Sequence, residues 1–345
     1  MKKIAIIFGA KSFEHEISIV SSISMKKVLK NELIYIFIDK HREFYLIPTQ
    51  KITSKLFSTG EYKKFDKLSI TQGGFYKSSF FGSKAIEFDV VLNLVHGGDG
   101  EDGVLASMFE FFNIPFIGPR TSASVLSCDK YITKGYASSH DVKTLECQYF
   151  RKGQDIKIAK YPVIIKPTKL GSSIGVSIVK NEDELSYACD VAFEYDDEII
   201  VEPFINGVKE YNLAGTKING EINFSIVEEP QKEEFLDFDK KYLDFNRTEQ
   251  VAKADISFEL ISKLKDNFTK IYNNTFDGSL IRCDFFVIDD EVYLNEINSI
   301  PGSMANYLFD DFNSLINELS NNLPKSKHIN ITYEYVNKIQ KAKGK

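Results

Sequence analysis

The sequence predicts a doubly wound α/β domain running to about Pro119, followed by a region built on a different alternation. Three observations carry this. Apolar, β-branched runs recur at residues 3–8, 33–38 and 88–95. Such runs are the mark of strands buried on both faces of a parallel sheet. Helical patterns lie between them, which is the strand–helix alternation of a doubly wound sheet. After Pro119 that alternation stops. A chain of 345 residues with 43% apolar residues is long enough for two or three cores and too apolar for general disorder.

The first run, Lys3 to Phe8, stops at Gly9, and a loop bearing Glu14-His15-Glu16 leads into a helix from Ile17 to Leu29. A second strand covers Leu33 to Ile38. The stretch 45–84 has no clear period and stays unassigned. Phe88 to Val95 is the third strand; it enters the Gly-rich loop His96 to Gly103, then a helix (Val104 to Phe112) and a strand at Ile114 to Ile117. Beyond Pro119, residues 121–139 read as one helix and Tyr161 to Lys166 as a strand entering a Gly/Ser loop. Strands follow at Val176 to Val179 and Glu198 to Ile205. Between the last two, Asn181 with Glu184 forms a capping-box-like helix start. Two strands over Val208 to Val227 flank a turn at Asn219-Gly220. The charged stretch 229–250 has no period, the mark of a lid or of a misread element. Ile256, Leu260, Leu264, Phe268 and Ile271 line one helix face. Strands at 280–288 and 292–298 close the core, and the Lys-rich tail after Pro324 is expected to fray.

Composition removes several classes of function. A net charge of −6 with mixed signs offers no basic face for nucleic acid. Cys128, Cys147, Cys189 and Cys283 are widely spaced with no CxxC pair, which predicts reduced thiols and no zinc site. The apolar run after Met1-Lys2-Lys3 is too short for a signal peptide, and no stretch reaches membrane-spanning length, so the expectation is a soluble, cytoplasmic protein with no membrane partner.

Four segments could carry chemistry. In the hairpin Arg282-x-Asp284 … Asn295-Glu296-Ile297-Asn298, alternate residues share a face. A turn made of Asp289, Asp290 and Glu291 pairs Ile288 with Val292 and sets Asp284 opposite Glu296 and Arg282 opposite Asn298. A two-residue turn would split the sets, so an odd loop or a bulge is required. Two carboxylates and an amide oxygen suit Mg²⁺; a solvated charge pair fits the same residues equally well. The loop Lys166 to Gly175 brings backbone N–H groups and a lysine to an anion, without Walker A or dinucleotide spacing; alone it reads as a plain turn. Glu14 and His96 lie past the carboxyl ends of parallel strands, the edge where open α/β sheets bind ligands, although each singly reads as an ordinary loop residue. The loop Gly97 to Gly103 lacks EF-hand spacing and reads as a sharp turn. Lys240-Lys241-Tyr242 sits in the charged stretch, either as surface charge or as a lid.

Taken in order, Phe8 to Ser18, His96 to Gly103, Lys166 to Gly175, Lys241-Tyr242-Leu243, Arg282-x-Asp284 and Asn295 to Gly302 make a pattern similar to the D-alanine–D-alanine ligases of the ATP-grasp superfamily, over about residues 1–310. The resemblance implies a Rossmann-like domain (1–119) that serves the first substrate and a two-lobed α+β ATP-grasp fold (120–206 and 207–345). It implies ligation of two D-alanines through an acyl phosphate, for peptidoglycan precursor synthesis, with ATP and two Mg²⁺ (or Mn²⁺ in their place). Lys130 and Lys166 would meet the α- and β-phosphates. Glu202, Phe204 and Ile205 would line the adenine site, and Glu210 the ribose. Asp284, Glu296 and Asn298 would hold the metals. Glu14 would take the first substrate's ammonium, steadied by Ser172 and Tyr242. His96 would lie near that substrate, and Lys241 would meet the γ-phosphate. Arg282 and the Gly302 backbone would stabilise the oxyanion. Family members are commonly dimers. Ala10, the wording Ser299 to Met304, and Tyr307 at a second-substrate position depart from the usual pattern. Tyr242 stands where D-alanine–D-lactate ligases carry a histidine, so the dipeptide is the expected product.

Overall fold

The computed structural model describes residues 1–79, 82–230, 248–325 and 327–343. Strands β1 (Ile4–Gly9), β2 (Leu33–Ile38), β7 (Val90–Asn93) and β8 (Phe116–Ile117) form a parallel core, with α1 (His15–Val28) and α3 (Val104–Phe111) in the crossovers. The parallel sheet expected for this domain is in fact mixed. The unassigned stretch supplies β3 (Phe44–Ile47), β4 (Lys67–Thr71), β5 (Gly74–Ser79) and β6 (Gly82–Ala85), which extend the sheet antiparallel in the order β6-β5-β4-β3-β2-β1-β7-β8. The physical reason is burial. Every residue of β1 is buried, whereas β6 is wholly exposed and β4 alternates. A half-wet strand needs no apolar run.

The helix expected over 121–139 is two helices, α4 (Thr121–Cys128) and α5 (Lys130–Ser139). They break at Asp129, whose carboxylate accepts the N–H groups of Tyr131 and Ile132 at 2.9 and 3.1 Å. An aspartate N-cap is a strong helix start even inside an otherwise helical pattern. Next comes a four-stranded sheet, β11-β10-β12-β9, made of β9 (Gln148–Arg151), β10 (Val163–Pro167), β11 (Ser177–Val179) and β12 (Glu198–Pro203) and backed by α6 (Leu185–Phe193). Asn181 accepts from Asp183 N at 3.1 Å; Glu184 reaches back to Lys180 N at 2.7 Å, one residue beyond the capping-box bond expected.

The third sheet, β14-β13-β15-β16, comprises β13 (Lys209–Ile218), β14 (Glu221–Glu228), β15 (Ile281–Ile288) and β16 (Glu291–Asn298). Helix α7 (Phe258–Tyr272) buries Leu264, Phe268 and Ile271 against it. After β16 the chain returns to the first sheet. Ile300, Met304 and Leu308, then Phe312, Ile316 and Leu319 of α8 (Phe312–Asn321), join the cluster formed by Ile4, Ile6 and Phe8. At about 1.5–3 kcal/mol per buried aliphatic or aromatic side chain, this return fastens the last sheet to the first. The tail expected to fray carries α9 (Glu334–Lys343), none of whose residues is buried. All four cysteines are free, and no helix among the described residues is long and apolar enough to cross a membrane.

Candidate active site

The three sheets converge on a cavity of about 310 Å³. Lining it are Glu14 and His96 from the β1 and β7 loops, Ser172 from the loop after β10, and Lys130, Lys166, Glu202, Phe204, Ile205 and Glu210 from the middle of the chain. Arg282, Asp284, Glu296, Asn298, Gly302 and Tyr307 complete the wall. Residues scattered from 14 to 307 thus share one space. Lys241 and Tyr242 lie outside the described residues.

At one end Glu14 is 5% exposed. Its Oε1 accepts from Ser172 Oγ at 2.5 Å, and its Oε2 is buried with no hydrogen-bond partner among the described residues. Burial pushes this carboxyl above its ordinary pKa, the nearby Glu101 adds to the rise, and Ser172 opposes it. A buried anion with one oxygen unsatisfied calls for a cation. Gly97 makes room for it: φ is +69° there, and a Cβ would sit 2.6 Å from Glu14 Oε2. The Gly-rich loop is a tight turn, as its sequence implied, and its acids are spoken for. Asp99 pairs with Arg42 at 2.8 Å, and Asp102 accepts from Asp99 N and Val104 N. Only Glu101 turns to the cavity. Burial raises its pKa to about 8, with the Gly97 N–H working against the rise and Glu296 adding to it.

His96 is buried. Its Nε2 lies 2.9 Å from Ser21 Oγ and its Nδ1 3.8 Å from Glu101. Burial lowers its pKa to about 4, so the ring is neutral through the physiological range.

At the other end Glu202, 3% exposed, bridges two lysines: Lys166 Nζ at 2.7 Å and Lys134 Nζ. Burial would raise this carboxyl, but Lys166 and then Lys134 hold it below its ordinary range. Lys166 also reaches Asn295 Oδ1 at 3.4 Å, and Lys130 Nζ donates to Leu170 O at 2.5 Å. The two lysines expected at phosphates therefore stand on one wall, tethered to neighbouring elements.

The hairpin β15–β16 has the predicted pairing by a different route. Asp289 and Asp290, at φ +50° and +62°, make a tight two-residue turn, so Ile288 pairs with Glu291 rather than Val292. Such a turn prefers left-handed residues and matches strand twist. A register shift between Asp284 and Phe285 then absorbs Asn295 and restores Asp284 opposite Glu296 and Arg282 opposite Asn298. The requirement for an odd loop or a bulge is met by the bulge. Arg282 grips Asp284 with Nε and a terminal nitrogen at 2.7 and 2.8 Å, and reaches Tyr307 OH at 3.2 Å. Asn298 Nδ2 donates to Asp284 Oδ2 at 3.0 Å. Burial raises the Asp284 carboxyl, Arg282 opposes the rise and Glu296 adds to it. Among the described residues no three His, Cys, Asp or Glu side chains form a closed metal cage. Two carboxylates and an amide are still a suitable partial shell for a hard divalent ion that completes its coordination with phosphate oxygens.

Beyond Pro301 the chain makes a left-handed turn. Ser303, Met304 and Ala305 have φ of +47°, +54° and +50°. Each costs on the order of 1–2 kcal/mol. The turn persists because all three are buried.

Sequence reading missed Lys134, Ser21 and the cavity role of Glu101. Lys134 stands one helical turn from Lys130 and Ser21 lies within α1, and nothing in their own spacing separates them from solvated or core positions. Glu101 sits in a quoted motif, but which of its three acids faces the ligand depends on turn geometry.

Comparison with known proteins is consistent along the chain. A family model described as D-ala D-ala ligase N-terminus matches residues 3–119, and one described as D-ala D-ala ligase C-terminus matches residues 138–313. The chain is 61% identical over 344 residues to a D-alanine–D-alanine ligase of Sulfurovum sp. and 58% identical over 343 residues to one of Wolinella succinogenes, with 99% of each partner covered in both cases. The solved D-alanine–D-alanine ligase of Helicobacter pylori superposes with a TM-score of 0.85 at 50% identity, covering 95% of this chain and 100% of that one.

Proposed function

The chain belongs to the D-alanine–D-alanine ligase family and is an ATP-dependent enzyme that makes D-alanyl-D-alanine for peptidoglycan; from that premise we propose how its own residues divide the work. The observation that carries the reading is the convergence of Glu14, Lys166, Arg282 and Asp284 on one cavity.

Glu14, with its unsatisfied Oε2, holds the first D-alanine's ammonium, and Ser172 fixes the carboxylate's orientation. Phe204, Ile205 and Glu202 form the adenine slot, Glu210 meets the ribose, and Lys130 and Lys166 face the α- and β-phosphates. By resemblance to the family, Lys241 would meet the γ-phosphate and Tyr242 would help steady Glu14. Asp284, Glu296 and Asn298 would hold two Mg²⁺ or Mn²⁺, whose charge would offset the negative charge of the phosphates. The first D-alanine carboxylate attacks the γ-phosphorus, ADP leaves, and an acyl phosphate remains. The free amine of the second D-alanine attacks the acyl carbon; the C–O bond to phosphate breaks, and phosphate leaves with its electron pair. Arg282 and the Gly302 N–H face the oxyanion, and Tyr307, bonded to Arg282, borders the second substrate. His96, neutral and buried, shapes the first-substrate end and carries no charge there.

For domains we propose 1–119, 120–206 and 207–345, since each holds one of the three sheets. We place the enzyme in the cytoplasm, where ATP is made and free thiols like its four stay reduced; cell fractionation tests this. A homodimer is supported by exposed apolar side chains on three successive helices, Val104 and Phe111 on α3, Val125 on α4 and Ile132 on α5, with Phe111 77% exposed. Sedimentation at micromolar concentration should show a dimer that Phe111→Glu converts to monomer. A native monomer at every concentration tested would remove that reading.

Substrate choice is tested by offering ATP, Mg²⁺ and D-alanine with and without equimolar D-lactate near neutral pH, and weighing the product by mass spectrometry. The dipeptide should dominate in both mixtures. A majority of the ester would transfer the chain to depsipeptide synthesis.

A further inference from the structure

We propose that Ser21, a fully buried serine on α1, is a positioning residue that locks the left-handed turn behind Gly302 and so sets the oxyanion side of the site. The inference rests on the reading of Gly302 as an oxyanion donor.

Ser303 N donates to Ser21 Oγ at 3.3 Å, and Ser21 Oγ lies 2.9 Å from His96 Nε2. A peptide N–H can only donate, so the hydroxyl accepts from Ser303; towards His96 Nε2 it donates if the ring proton is on Nδ1 and accepts if it is on Nε2, and either way the contact ties Ser21 to the ring. The ring is also hydrogen-bonded to the backbone of Ile300. Ser21 and His96 therefore clasp the segment at positions 300 and 303, on either side of Pro301-Gly302.

The segment needs a clasp because its preferred geometry is elsewhere. Three consecutive L-residues, Ser303, Met304 and Ala305, are left-handed, and relaxation toward right-handed angles would swing the Gly302 N–H off its line. Packing of Met304 and Ala305 resists this from one side; the Ser21 hydroxyl is the polar anchor from the other. Helix α1 begins immediately after Glu14, so the same rigid element orients the first-substrate carboxylate and the oxyanion turn. Ser21 is not among the residues that line the cavity; it acts through the turn.

The test is Ser21→Ala, read by turnover, by KM for ATP, and by the ratio of phosphate released to dipeptide formed. Loss of the anchor slows attack on the acyl phosphate and leaves it time to escape to water. The expected result is kcat down by roughly 10- to 100-fold, KM for ATP within about twofold, and a phosphate-to-dipeptide ratio above one, in protein with a cooperative melt. Native kcat with a ratio of one overturns the proposal. So does a loss of activity that merely follows the fraction of folded protein. Arg282→Lys, measured alongside, separates the two readings. If it raises the ratio and Ser21→Ala does not, the clasp fails alone. If neither raises it, the oxyanion reading fails and takes the clasp with it.

Discussion

Glu296→Gln should give a folded enzyme whose turnover is lower by roughly two to four orders of magnitude, several kcal/mol of transition-state stabilisation being a metal ion's usual share in phosphoryl chemistry. The substitution keeps size, removes the charge and exchanges one acceptor oxygen for an N–H donor. In the structure Glu296 raises the pKa of both Asp284 and Glu101, so its charge disfavours ionisation of two buried neighbours. Its neutralisation should therefore leave the melting temperature unchanged or higher while activity collapses. That opposition distinguishes a ligand from a structural residue. Steady-state phosphate release and calorimetry on the same preparation decide it: a variant that melts lower and loses activity in proportion would make Glu296 part of the scaffold, and undiminished turnover would take it out of the metal site.

Arg282 should show the second large effect, divided between two substitutions. Arg282→Ala leaves Asp284 buried beside Glu296 with its principal cation gone, which costs about 3–5 kcal/mol of stability when one partner of a buried pair is removed. Arg282→Lys keeps a positive charge but loses the fork that spans both Asp284 oxygens at 2.7 and 2.8 Å. Stability should fall less, while kcat falls roughly 10²- to 10³-fold, the usual cost of one oxyanion donor. Differential scanning fluorimetry and single-turnover dipeptide formation measure the two parts. A lysine variant with native kcat would confine Arg282 to holding Asp284 in place.

Much of this arrangement is legible in the chain itself. The runs at 3–8 and 33–38 become adjacent parallel strands because a strand buried on both faces can carry nothing but apolar residues. Strand alternation places Arg282 with Asp284 and Glu296 with Asn298; the pairing of the two sets across β15–β16 comes from the bulge and not from the three-residue turn the sequence suggests. The antiparallel extension β3–β6 was not legible, since strands with one wet face and several exposed residues leave no continuous apolar signal. The break at Asp129 was also hidden: its flanks are both helical, and only the capped geometry reveals a start inside the pattern.

By itself, then, the sequence determined the parallel strands of the first sheet, the side of each strand on which the candidate ligands stand, and the chemistry they offer, because these follow from apolar runs, from the strand period of two and from side-chain type. Only the tertiary structure decided which charges meet. Glu202 between Lys134 and Lys166, Glu14 with one oxygen unsatisfied, Glu101 turned inward while Asp99 and Asp102 are bound elsewhere, and the Ser21 clasp on a left-handed turn all join elements distant in the chain. Such meetings depend on how the sheets pack and on what that packing buries. Local pattern carries neither quantity, since a buried ion pair and a solvated one are spelled with the same residues.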